Sequence, residues 1–145
     1  TKSAGNAGFD LTVQLEEPYT LQAGESKTFG TGVAVWLQDP SLVGLILPRS
    51  KLGSKHGLII GNGTGVLDSN YQGELMVNLW NRSSEPFTIE DGMAVAQLVI
   101  TKIPYLIDIV EVEEFEEKSE RGSKGINCEE LRLRTKLPYE AGELV

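Results

Sequence analysis

Residues 61–81 read GNGTGVLDSNYQGELMVNLWN, and how this stretch divides decides the fold. Its second half, Glu74 to Trp80, alternates apolar and polar as a half-buried strand does. Its first half carries glycines at 61, 63 and 65, with another at 73, and sets Asp68 and Tyr71 across a turn. Together the halves predict a β-hairpin. Glycine has no Cβ, so backbone amide and carbonyl groups here can approach a small ligand closely. A carboxylate held beside such a lip suits a general base. On this stretch alone, a solvated aspartate in a hairpin turn is the simpler reading.

Working outward, the same strand-like period recurs. FDLTVQL (9–15) puts Phe9, Leu11, Val13 and Leu15 on one parity. A turn at Ala23-Gly24 precedes a second strand, GVAVWL (32–37) is rich in β-formers, and Asp39-Pro40 closes that run. LVGLILP (42–48) is almost continuously apolar and predicts a buried strand, followed by the polar, Gly-broken RSKLGSKHG (49–57) and the short LII (58–60). Glu90-Asp91-Gly92 is a turn before AVAQLVI (94–100). No stretch before residue 105 sustains a helical period, DPSLVGL (39–45) allowing at most a short turn. Short strands separated by closely spaced turns predict an all-β sandwich or barrel.

A chain of 145 residues suits one domain, residues 1–145, with a core able to fold alone. A net charge of −8 argues against nucleic acid, whose phosphates need a basic face. No apolar run approaches the roughly 18 residues of a membrane span. The single Cys128 excludes an intrachain disulfide and fits a reducing compartment, so the expected location is cytoplasmic, in a cell or as a virus- or phage-encoded protein. From 109 to 126 the composition changes: five of the eight residues 110–117 are Glu, and RGSKG (121–125) follows, which reads as a solvated arm or linker. Strand-like alternation returns at Leu131 and Leu133. The last twenty or so residues are too few for a second domain and must pack on the first.

Three polar clusters fall between these strands: Asp10 after AGF, Arg49-Ser50-Lys51, and Asp68 with Tyr71. Arginine and lysine beside a hydroxyl suit an anionic ligand through charge-assisted hydrogen bonds. Two isolated carboxylates suit a water-mediated Mg²⁺ anchor and a water-activating base. On spacing alone, Arg49 fits equally as a surface residue and Asp10 as a strand-end turn former.

The set AGFDL (7–11), PRSKLGSKHGL (48–58), GVLDSNYQGEL (65–75) and GMAVAQLV (92–99), in this order and spacing, closely resembles the trimeric dUTPases over residues 1–122. The resemblance implies a jelly-roll-like β subunit, a homotrimer with active sites between subunits, and Mg²⁺-dependent hydrolysis of dUTP to dUMP and pyrophosphate. It assigns Asp68 to the attacking water and Tyr71 to the face of the deoxyribose, where it excludes a 2′-hydroxyl. It gives the backbone around Val66, Leu67 and Met76 to the uracil edge, with Asn62 nearby. Arg49, Ser50 and the amide of Lys51 would hold phosphates with help from Gln97, and Asp10 would hold Mg²⁺ through water. Lys51, Asn70 and Ala94 stand where the family usually has Gly, Asp and Arg. The family's closing arm, RGxGGFGS, is altered more: Arg121, the expected γ-phosphate ligand, remains, but Ile126 replaces the aromatic ring that covers the base.

The two ends read together suggest an explanation. Residues 127–145, NCEELRLRTKLPYEAGELV, resemble the family's first strand and the loop after it, and the chain opens just before the first motif. The expectation is therefore a circular permutation, with 127–145 supplying the displaced first strand. An unrelated C-terminal extension with a shortened N-terminus is the alternative. Two other functional readings compete with the hydrolase: a non-catalytic trimeric module of the same fold, structural or regulatory, as in a virus, and a dCTP deaminase of similar fold. The Asp-x-x-Tyr set at 68–71 favours the hydrolase.

Overall fold

The structure, a computed structural model, describes residues 5–104, 106–114, 117 and 119. Among these residues it contains nine strands and one short helix: β1 (Phe9–Thr12), β2 (Tyr19–Leu21), β3 (Ser26–Ala34), β4 (Leu42–Pro48), α1 (Ser50–His56), β5 (Leu58–Ile60), β6 (Gly65–Leu67), β7 (Glu74–Asn81), β8 (Phe87–Ile89) and β9 (Ala94–Lys102). They form three antiparallel sheets ordered β1-β9-β4-β6, β3-β7-β5 and β2-β8. The all-β expectation holds. All of these elements lie in one compact unit that ends at Leu106. A second unit begins at Ile107, and its described residues carry no strand or helix.

β7 shows how the sequence period becomes structure. Leu75, Val77, Leu79 and Asn81 are buried, while Glu74, Met76 and Trp80 face outward, the two-residue repeat of a strand with one face on the core. Against its inner face pack Phe29 of β3 and Leu58 and Ile60 of β5. Leu11, Ile46, Leu67, Val95, Ala96 and Leu98 of the four-stranded sheet close the same core. Each such leucine or isoleucine contributes about 1.5–3 kcal/mol by leaving water.

Two features depart from the sequence reading. Residues 61–81 are not a hairpin. β6 pairs with β4 (Leu67 opposite Gly44), whereas β7 pairs with β3 and β5, so the chain crosses from one sheet to another between Leu67 and Glu74. Alternation marks a strand but not its partner, because pairing is non-local. The second departure is α1, in the segment read as an irregular polar link. It buries no residue, so it presents no amphipathic stripe to detect, and it stops at Gly57, whose φ of 68° suits a left-handed C-cap.

β1 is also shorter than the alternation over 9–15. Its register with β9 shifts between Leu11 and Thr12, after which the Val13 amide donates to the Met93 carbonyl and the Gln14 amide to the Gly30 carbonyl. The strand thereby passes from β9 toward β3. No helix among the described residues is long and apolar enough to cross a membrane. The expected displaced strand at 127–145, together with Arg121 and Ile126, lies outside the described residues.

Candidate functional site

The sequence-predicted residues gather in two places. The first is one end of the four-stranded sheet. Asp10 on β1 lies directly opposite Gln97 on β9, and Gln97 lies opposite Leu47 on β4, so β1 and β9 bring polar groups beside the end of β4. Arg49 follows β4 immediately. Its Nε stands 3.2 Å from Asp10 Oδ1, and its Nη1 donates to the Ala94 carbonyl at 3.3 Å. Gln97 Nε2 donates to the Pro48 carbonyl at 3.1 Å. Asp10, Arg49 and Gln97, with residues 5–9, line a cavity of about 470 Å³. The Asp10–Arg49 pair is open to solvent, so it contributes little to stability; its effect is to orient the guanidinium. Ser50 and Lys51 open α1 beside it and are exposed.

The Ala94 contact bears on one departure from the family pattern. Arg49 uses the backbone carbonyl of residue 94, so the alanine side chain there does not weaken the hold on Arg49. Gly8 is a residue the sequence reading left unassigned. A Cβ there would stand 2.7 Å from Gln97 Oε1, so the backbone at Gly8 presses directly on the Gln97 side chain. Gly8 falls within the AGFDL motif, but nothing local announces a contact with a residue almost ninety positions away.

The second place is the crossing between β6 and β7. Asp68 follows β6 and is exposed; the Tyr71 amide donates to its carbonyl at 3.1 Å, closing a tight turn. The Tyr71 ring folds over Gly73, where a Cβ would collide with the phenol oxygen, and its hydroxyl donates to the Glu74 carbonyl at 3.1 Å. A side chain at 73 would therefore force the exposed ring to shift. The Glu74 carboxylate in turn accepts from the amide of Gly32, and the Gln38 amide donates to the Ser69 carbonyl at 3.1 Å, so two points on the β3 side brace the turn. Gln38 does so with a positive φ of 66°, unusual for a residue other than glycine. Asp68, Ser69 and Asn70 border a second cavity of about 630 Å³ with Trp36, Pro40, Leu42 and Ile103 among its walls. Beside it, the Asp39 carboxyl is held below its ordinary value by the Ser41 hydroxyl first and then by the Ser41 amide.

Asn62 lies in the turn between β5 and β6, where the Gly63 amide donates to the Ile60 carbonyl. Val66 on β6 and Met76 on β7 are exposed, whereas Leu67 is buried and offers only its backbone.

The pairing register separates the two places. Leu67, just before Asp68, lies opposite Gly44 near the start of β4, and Arg49 follows the end of that strand. Five residues of extended chain span about 17 Å. One chain therefore carries the carboxylate with the tyrosine at one end of β4 and the cation cluster at the other.

The comparisons with known proteins give the family and the fold. A family model described as dUTPase matches residues 1–128. Among curated relatives, the deoxyuridine 5′-triphosphate nucleotidohydrolase of Alcanivorax borkumensis is 49% identical over 121 residues, covering 83% of this chain and 79% of that protein. Among solved structures, the dUTPase of Staphylococcus bacteriophage 80alpha with dUPNHPP superposes with a TM-score of 0.72 at 30% identity, covering 88% of each chain. A dUTPase variant from phage phi11 of S. aureus, whose structure describes coordination of a structural Mg(II) ion, gives 0.70 at 28% identity over 81% of this chain and 90% of that one. With its motifs on the same β-rich scaffold, the chain belongs to the dUTPase family.

Proposed function

We propose that this chain hydrolyses dUTP to dUMP and pyrophosphate with Mg²⁺, as a homotrimer whose active sites lie between subunits. The observation that carries the reading is the turn after β6, which fixes an exposed Asp68 and the Tyr71 ring within a few residues of each other. The Asp68 carboxylate accepts a hydrogen bond from water, orients it toward the α-phosphorus and takes its proton. The new bond joins the water oxygen to the α-phosphorus; the bond from that phosphorus to the bridging oxygen breaks, and pyrophosphate leaves. Tyr71 packs beneath the deoxyribose and leaves no space for a 2′-hydroxyl. The backbone at Val66, Leu67 and Met76, with Asn62, reads the uracil edge, whose alternating donor and acceptors match the alternating groups of an extended chain.

Arg49, Ser50, the Lys51 amide and Gln97 hold the triphosphate, with Arg121 assigned to its far end. Asp10 fits a magnesium site of one kind. Among the described residues no three His, Cys, Asp or Glu side chains stand together, so these residues offer no all-protein cage. The exposed Asp10 carboxylate, beside Arg49, would hold such an ion through its waters and not by direct ligation. An ion held there would offset the charge of the triphosphate.

Two observations support the assembly. Asp68 and Arg49 sit at opposite ends of β4, too far apart to meet on one small substrate face of a single chain. Ile107, Ile109, Val110 and Val112 are exposed, and an apolar run of this kind gains stability when a second copy covers it. The altered arm at Ile126 speaks for the non-catalytic module, but curated relatives named as nucleotidohydrolases at close to half identity favour the hydrolase.

Pyrophosphate release from dUTP, dTTP, dCTP and UTP tests the reading, beside Asp68→Asn and a solution mass measurement. Turnover confined to dUTP is expected, with a loss of about 10²–10⁴-fold in the variant. No turnover of dUTP by the parent chain overturns it.

A further inference from the structure

The turn that presents Asn62 is held by a residue outside the four motifs. Asn78 lies on β7 two positions after Met76, and its carbonyl accepts from the Gly61 amide at 2.9 Å. Its side chain is fixed on the other flank: Oδ1 accepts from Ser26 Oγ at 2.8 Å, and Nδ2 donates to Thr28 Oγ1 at 3.0 Å, both on β3. A Cβ on Gly61 would collide with Asn78 Oδ1 and stand 3.1 Å from Ser26 Oγ. The backbone of Gly61 is not in the left-handed region, so the requirement for glycine is one of space alone. The colliding oxygen cannot swing aside without giving up its bond to Ser26, and turning the amide also breaks the bond to Thr28.

We propose that Asn78 is a positioning residue for the base-reading edge. By carbonyl and amide together it sets how closely the Gly61–Gly63 turn, and with it Asn62, lies against the β7 backbone at Met76. The inference rests on the reading of Asn62, Val66 and Met76 as the surface that meets the base. It adds a residue pair, Gly61 and Asn78, whose sizes must match for that surface to hold its shape.

The test is steady-state kinetics on the full-length chain with dUTP and dTTP, for the parent, Gly61→Ala, Asn78→Ser and the double variant, with a melting curve for each. Gly61→Ala should raise KM for dUTP about tenfold with kcat changed less than about twofold, because the lost interactions hold the base and not the reacting phosphorus. Asn78→Ser shortens the side chain and frees the space, so it should raise KM only a few-fold. The double variant should return to the level of Asn78→Ser and recover discrimination against dTTP. Unchanged KM in Gly61→Ala, or a double variant as impaired as Gly61→Ala, overturns the inference. A fall in melting temperature with KM unmoved also overturns it, since that is a structural clash alone. If the parent fails to turn over dUTP, the functional reading falls and this inference falls with it; an active parent with an unmoved KM sinks the inference only.

Discussion

Replacing Asn81 with alanine should destabilise the protein more than any change to its exposed site residues. The side chain is fully buried, and it uses its whole hydrogen-bonding capacity. Nδ2 donates to the Leu21 carbonyl at 3.1 Å and the Glu85 carbonyl at 2.8 Å, while Oδ1 accepts from the Ser83 amide at 3.0 Å and hydroxyl at 2.7 Å. It therefore ties the end of β7 to β2 and to the loop before β8. Alanine leaves the Leu21 carbonyl buried without this partner and the Ser83 amide partly buried without its own, whereas the Ser83 hydroxyl can still donate to the Glu85 carbonyl at 2.9 Å. A buried group that loses its partner costs about 1–3 kcal/mol, so the sum is about 3 kcal/mol with the partly buried Ser83 amide counted at the low end. For a chain of this size that lowers the melting temperature by about 10 °C. Urea unfolding followed by tryptophan fluorescence reads the loss, repeated at several protein concentrations because assembly adds to apparent stability. Asn81→Asp sharpens the test. The introduced carboxyl must stay protonated to donate to either carbonyl, so its folded pKa is raised and its penalty should be small below about pH 4 and grow as pH rises. A loss under about 0.5 kcal/mol for the alanine variant, within the range of ordinary surface changes, would refute the reasoning. So would an aspartate variant whose stability does not vary with pH.

Gly8→Ala should displace the Gln97 side chain from the Pro48 carbonyl and raise KM for dUTP about fivefold without a matching fall in kcat. Unaltered kinetics would show that Gln97 does not meet the phosphates. The Tyr19 hydroxyl donates to Glu25, which holds the Glu25 carboxyl below its ordinary value of 4.5 and raises the tyrosine above 10.0. A depressed carboxylate contributes stability that is present above its unfolded pKa and lost as pH falls through the folded one. A raised tyrosine contributes stability below its unfolded pKa that is lost as pH rises through the folded one. Tyr19→Phe should therefore flatten the stability profile both below pH 4.5 and above pH 10, measured as midpoints of urea unfolding; profiles that overlay the parent's at both ends contradict the assignment.

Much of this protein is local and so is legible in the chain. The alternation of Leu75, Val77 and Leu79 with Met76 and Trp80 predicts β7 and its buried face, and the apolar run at 42–48 predicts β4, because a strand's period is a property of its own residues. The motif residues Asp10, Arg49, Asp68, Tyr71 and Gln97 are likewise present in the sequence with their chemistry attached. What tertiary structure alone decides is which of them meet. Asp10, Arg49 and Gln97 come together because β1, β9 and β4 pair in one register, across separations of up to 87 positions. The stretch 61–81 looked like a hairpin because two strands joined by a turn have the same local pattern whether or not they pair. Non-local hydrogen bonds send β6 to one sheet and β7 to another, which places Asp68 and Tyr71 on the crossing between them. The size match of Gly61 with Asn78, and the burial of Asn81 among polar partners, likewise depend on strands remote in sequence coming within hydrogen-bonding distance.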